Sequence, residues 1–217
     1  MSRVARKPDR QPIGGARAAL SRGIVRLADP VLTAVMHHWL LILNGAVLLF
    51  VGGALLAPLL MASGASALAD SLYQFYSSIC HQWAHRSFFL LGPQLVISRA
   101  ELQALGVDPL TFVGNASLGW KMAFCERDLA IFGGVLLFGL LYAARWRRRF
   151  LPPAGYLTFA VLIAPMAFDG VTQLFGFRES TWELRVSTGL LFGLASAWLM
   201  YPRFDWALRR GAVREDT

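Results

Sequence analysis

Cys80, His81, Gln82, His85, Arg86 and Ser87 fall within eight consecutive positions of the chain. A thiol, two imidazoles, an amide, a guanidinium and a hydroxyl so close together can ligate a metal, form a disulfide, move protons or grip an anion. Three smaller groups follow: Cys125 with Arg127 and Asp128; Asp169 with Gln173; and Arg178, Ser180, Thr181 and Arg185. Asp169 and Gln173 are four apart, so they share a face if their segment is helical.

The two cysteines leave three readings open. Cys80 and Cys125 can form a disulfide if both face an oxidising compartment. Cys80, His81 and Cys125, with Asp128 or His85 as fourth donor, have the atom types that zinc accepts. A reactive or redox thiol is the third reading, because Arg86 and Arg127 would favour a thiolate. The chain has no Cys-x-x-Cys. The arginines suggest a different chemistry. Arg86, Arg127, Arg178 and Arg185 have the forked geometry that fits phosphate oxygens. In that reading Gln82, Ser87, Asp128, Gln173, Ser180 and Thr181 complete a substrate-binding set. His81 or Asp169 would then serve as acid, base or nucleophile. A carboxylate within a helix bundle is costly alone, so Asp169 is expected to meet Arg185, Arg127 or Arg86.

The elements that must position these residues are apolar. Of 217 residues 56% are hydrophobic and only 16% charged, against about 25% charged in a soluble domain, and mean hydropathy is +0.49. The expected fold is all-α: a four-span helical membrane bundle with a long extracytoplasmic segment (63–126) containing short interfacial or re-entrant helices. The spans are expected near 39–62, 125–144, 154–175 and 183–201, each long enough to cross about 30 Å of hydrocarbon. Residues 1–38 read as a basic tail plus an amphipathic interfacial helix, with Leu20, Ile24, Leu27 and Val31 spaced by three and four. Residues 202–217 read as a second tail. His37 and His38 are expected at the interface before the first span. Within the outer segment, 68–79 reads as helical, 88–97 as too short to span, and Leu102 with Leu105 as a short surface helix. Gly189 and Gly193 form a small-residue face suited to close helix packing.

Charge sets an expected orientation. With the N-terminus cytoplasmic, 15 of the 21 basic residues lie in the tail, the 145–153 loop and the C-terminus, giving net +10 inside and −2 outside. Such a bias is carried by short segments, where the positive-inside rule acts. Both termini are therefore expected in the cytoplasm, at the inner membrane of the cell. The net charge of +8 is spread over the ends of apolar runs rather than gathered on one soluble domain, which argues against nucleic acid as a partner.

Four blocks carry a resemblance. They are Cys80-His81-Gln82-x-x-x-Arg86-Ser87-Phe88-Phe89, Cys125-x-Arg127-Asp128-x-x-Ile131-Phe132-x-Gly134, Asp169-Gly170-x-x-Gln173, and Arg178-x-Ser180-Thr181-x-x-x-Arg185-x-x-Thr188-Gly189. In this order, over about 68–200, they resemble a family of prokaryotic predicted integral membrane proteins catalogued as a domain of unknown function. The resemblance implies a small multi-span protein and supplies no activity. Glu126 departs from it, standing where the family's second block has a small residue. His85 falls at a position the first block leaves open.

Three functions are consistent with these residues. One is binding or chemistry on an anionic lipid or isoprenoid-phosphate headgroup, with membrane lipid as the partner. Another is a scaffold, assembly factor or transport subunit, including a homo-oligomer, whose polar network is structural. The third is a metal- or thiol-dependent oxidoreductase, with zinc as the metal.

Overall fold

The computed structural model describes residues 15–146 and 151–215. Two units divide the chain, residues 1–42 and 43–217. The basic leader before Gly15 and the arginines Arg147, Arg148 and Arg149 lie outside the described residues, as do the side chains of Leu20, Ile24 and Leu27.

The fold is that of an all-α membrane protein, with four helices long and apolar enough to cross a bilayer: Thr33–Ala62, Glu126–Ala144, Tyr156–Leu174 and Trp182–Arg210. The first belongs to α1 (Gly15–Ala62), so the amphipathic segment and the first span share one helix rather than two. His37 and His38 consequently fall inside the first span, their rings in T-shaped contact at 4.8 Å.

Within residues 43–217, the C-terminal part of α1 presents Ala54 and Ala57 to α2 (Ser66–Ser77). Small residues here let the second helix approach closely. Ala69, Tyr73 and Tyr76 recur at helical spacing and form the buried face of α2 against Ala123 and Phe124. The two tyrosines also anchor backbone. Tyr73 Oη donates to the Lys121 carbonyl at 2.5 Å, and Tyr76 Oη to that of Phe50 at 2.6 Å. Each buried hydroxyl thus has a partner, as burial demands.

Between α2 and the second span, the 88–97 stretch is neither interfacial nor re-entrant helix. Its Phe89–Leu90 is strand β1 of a small antiparallel sheet ordered β1-β3-β2, with β2 at Gly114–Asn115 and β3 at Gly119–Lys121. Phe89 pairs with Lys121 and Leu90 with Trp120. Leu91 at φ +63° and the following Gly92-Pro93 stop any helix from propagating. The β2–β3 turn needs glycine at its exit: Gly119 sits at φ +82°, while Asn115 Oδ1 accepts from the Ser117 and Leu118 amides. The short helix expected at Leu102 is α3 (Arg99–Ala104), started by a Ser98–Glu101 capping box that satisfies two otherwise orphan amides.

Helix α4 (Glu126–Leu141), extended by a π-type turn (Tyr142–Trp146), packs along α6 (Trp182–Glu215). The contact rests on the expected glycine face. A methyl group on Gly189 would lie 2.8 Å from the Arg127 carbonyl, and one on Gly134 2.7 Å from that of Leu190. Helix α5 (Tyr156–Leu174) packs on α6 and leaves Leu157, Val161 and Phe168 exposed, as a lipid-facing helix requires. The fourth helix does not stop at 201 but continues through Pro202. Proline removes the amide that would serve the Trp198 carbonyl; Ala154 N donates to it instead, at 3.5 Å, and Arg203 Nη1 donates to the Leu199 carbonyl at 2.5 Å.

Candidate functional site

The site lies where α2 gives way to the 80–87 segment, at the end of the bundle shared by the starts of α4 and α6 and the end of α5. Cys80 and Gln82 open it. Gln82 has φ +51°, a left-handed conformation that a residue with a side chain rarely adopts. Three bonds hold it there. Its Nε2 donates to the Tyr73 carbonyl at 2.8 Å, its amide to Cys80 Sγ at 3.5 Å, and Lys121 Nζ donates to its carbonyl at 2.6 Å. Such strain costs on the order of 1–3 kcal/mol and persists only when surroundings over-determine it. Lys121 is itself buried, and that burial pulls its pKa down to about 8.

A 3-10 turn at Ala84–Arg86 follows, closed by the fully buried Ser87, whose Oγ donates to the Trp83 carbonyl at 3.0 Å. It turns His85 away from the cysteines. His85 Nδ1 meets the Pro109 carbonyl at 3.0 Å, and burial lowers the imidazole's pKa. Arg86 lies over the Trp83 ring, 4.4 Å from its centroid. Burial, and next the charge of Arg185, lower its pKa. No carboxylate among the described residues forms an ion pair with Arg86, and its buried Nε has no hydrogen-bond partner.

The other arginines are compensated. Asp169 is only 1% exposed although its neighbour Phe168 is 69% exposed, so the carboxylate points into protein. It receives Arg127 Nη2, Arg178 Nη2 at 2.5 Å and Ser180 Oγ at 2.9 Å. Arg127 Nη2 also reaches Gln173 Oε1 at 3.4 Å, and Arg178 Nε donates to Thr172 Oγ1 at 3.2 Å. Of the cations expected for Asp169, Arg127 is one. Arg185 instead bonds Glu126 at 2.6 Å and the Ser180 carbonyl. Glu126 is fully buried. Thr181 Oγ1 accepts from the Leu184 amide at 3.4 Å and caps α6.

These groups border a cleft of about 410 Å³ lined by Cys80, His81, Gln82, Arg86, Cys125, Arg127, Asp128, Gln173 and Arg185, with Ile79, Trp83 and Leu174. Asp169, Arg178, Ser180, Thr181 and Ser87 do not line it; they lie in the supporting structure. Both cysteines are free thiols. The neighbouring Cys125 thiol lowers the pKa of Cys80, while Cys80 and burial raise that of Cys125. The Cys125 amide donates to Cys80 Sγ at 3.3 Å, and the Asp128 amide to Cys125 Sγ at 3.4 Å. Donor atoms of Cys80, Cys125 and Asp128 lie within 4.8 Å of one another. That set holds three of the expected donors, Asp128 among them, but not His81, which is exposed with its ring near Trp83 at 5.5 Å.

Sequence reasoning missed two residues of this region. Glu126 was visible only as a departure from a motif. Lys121, one of two lysines in the chain, stands alone in an apolar stretch, the signal of a buried charge with a task.

Four apolar helices with a polar, arginine-lined cleft at one end define a multi-span α-helical membrane protein. A family profile described as "Predicted membrane protein (DUF2085)" matches residues 116–199. Uncharacterized protein MJ1492 of Methanocaldococcus jannaschii is 32% identical over 176 residues, covering 78% of this chain and 94% of its own length. An uncharacterized protein of Methanothermobacter thermautotrophicus is 41% identical over 84 residues, covering 36% of this chain and 69% of its own. The chain belongs to this family of predicted membrane proteins. No solved structure matches it.

Proposed function

We propose that the cleft receives an anionic, phosphate-bearing headgroup, that of a membrane lipid or an isoprenoid phosphate. One observation carries the reading: Arg86, a partly buried guanidinium facing a cleft and bonded to no carboxylate among the described residues. An unpaired charge is expensive to bury, and a phosphate oxygen arriving from the cleft would remove that cost. Arg127 and Arg185 line the same space, each held in place by its carboxylate, so their remaining N–H groups are oriented before a ligand arrives. The buried Nε atoms of both, and Nε2 of Gln173, have no hydrogen-bond partner among the described residues. Phosphate recognition by guanidinium forks uses such donors.

Charge distribution favours a cleft on the outer face of the inner membrane, with both termini cytoplasmic. The segments before Thr33 and after Arg210 then serve as cytoplasmic tails flanking one membrane domain. Cysteine introduced at exposed Ala116, in the β2–β3 turn, should react with a membrane-impermeant thiol reagent added to intact cells; protection until lysis would reverse the orientation.

The binding test is lipid identified by mass spectrometry after purification in mild detergent. Wild-type protein should retain an anionic phospholipid or polyprenyl phosphate, and Arg86→Gln should lose it while remaining folded. Equal retention by both would remove Arg86 from the reading. Retention only of zwitterionic lipid by the wild type would remove the reading itself.

A further inference from the structure

We infer that Cys80, Cys125 and Asp128 form a binding site for a thiophilic divalent cation of the zinc type, with one coordination position open to the cleft. The three donor atoms fall within 4.8 Å of one another. Zinc–sulfur and zinc–oxygen bonds of about 2.3 and 2.0–2.2 Å place ligand atoms at such separations. Two sulfurs with one oxygen select zinc or cobalt over magnesium or calcium, which prefer oxygen alone.

Geometry separates this site from a simple cysteine pair. Three backbone amides are aimed at the two sulfurs: Gln82 and Cys125 at Cys80, and Asp128 at Cys125. Amides around sulfur lower the cost of holding it as thiolate, the form that binds metal. Gln82 supplies one of them only because its backbone is held in the left-handed region. A disulfide would leave the Asp128 carboxylate without a role beside it. The chain also supplies an outer shell. Cys125 caps α4 and Asp128 lies in the first turn of that helix, so the same backbone bond that starts α4 orients two ligands. Second-shell bonds of this kind are what hold first-shell donors in place.

With three protein ligands, zinc keeps a fourth position for water or another oxygen. Here that position faces the space lined by Arg86. The inference does not rest on the headgroup reading, since it needs neither Arg86 nor any lipid.

The test uses the full chain in detergent, stripped with chelator under reducing conditions and titrated with Co²⁺ alone, then with Zn²⁺ in competition. One cobalt per chain should bind, with the thiolate-to-cobalt charge-transfer absorption of a tetrahedral sulfur site, and zinc should displace it. Cys80→Ser and Cys125→Ser should abolish the charge-transfer band. Asp128→Asn, which leaves both sulfurs, should weaken binding and shift the band. Arg86→Gln should bind cobalt like the wild type even if it has lost lipid, which keeps the two readings separable. Wild-type protein that gives no charge-transfer band would overturn the inference. So would cobalt binding that Asp128→Asn leaves unchanged.

Discussion

Arg178 and Arg86 belong to the same end of the molecule and to the same set of motif blocks, yet their surroundings differ. Arg178 shares the buried carboxylate of Asp169 with Arg127, and Ser180 fills a further bond to it. Arg86 has an aromatic face beneath it and, among the described residues, no carboxylate partner. The first arrangement is closed: its charges are answered by protein, and little remains for a ligand. The second is open. The contrast separates what holds the helices together from what is left to bind. A structural network and the proposed ligand site would thus lie in adjacent layers.

The sharpest way to break the comparison is at Asp169. Asp169→Asn keeps the shape but strands two guanidinium groups. Breaking a buried ion pair by removing one partner typically costs about 3–5 kcal/mol, and here two pairs share the lost charge. The melting temperature in detergent should fall steeply, and a variant as stable as the wild type would show that Asp169 belongs to the ligand site after all. Glu126→Gln should cost less, on the order of 2 kcal/mol, because one arginine rather than two loses its counter-charge and glutamine still accepts a hydrogen bond. Arg86→Gln should alter stability by about 1–2 kcal/mol at most, the scale of a partly buried cation–π contact. A large loss of stability there would mean that Arg86 is as structural as Arg178.

How far the sequence revealed this division depends on the range over which each signal acts. The spans were legible because twenty apolar residues in a row have one cheap solution in a bilayer. Convergence of the four motif blocks followed from span count and chain direction. The allocation of partners did not follow. Asp169 was expected to meet a cation, and Arg127 was among those named, but Arg178 and the Arg185–Glu126 pair depend on how α4 rotates against α6. That rotation is set by close contacts at Gly134, Gly189 and Gly193, which no local pattern encodes in angular detail. The sheet was illegible for a related reason. Its strands are two or three residues long, and Phe89 finds its partner at Lys121, so alternation within either strand carries almost no information. The last span, expected to end at 201, runs on because Ala154 and Arg203 supply donors on either side of the amide that Pro202 lacks, so α6 continues.

The smallest expected effect concerns His85, which the first block leaves variable and which faces away from the cleft. Its Nδ1 meets the Pro109 carbonyl, so the ring is neutral with its proton there, and the buried Nε2 has no partner. Charging the ring would add an N–H where nothing accepts it, in keeping with the lowered pKa that burial gives this group. The charged groups that bear on it are Arg86, Glu179 and Arg99, the last two paired at 3.7 Å on the surface. An unfolded histidine titrates near pH 6.5. Below that value the unfolded chain takes up a proton that the folded chain refuses, so stability falls with pH until the folded ring also titrates, and levels off beyond. Above it both forms are neutral and the term vanishes. Glu101 and Asp108, held below the usual carboxylate range by bonds from Ser98 and Thr111, keep their stabilisation through this range and lose it only at lower pH. Thermal unfolding should therefore shift to lower temperature between about pH 7.5 and pH 5.5. His85→Asn, whose amide can still donate to the Pro109 carbonyl, should flatten that dependence without affecting lipid retention or cobalt binding. If His85→Asn instead emptied the cleft of lipid, the 3-10 turn would be part of the binding surface, and the line between closed and open layers would have to be redrawn through residue 85.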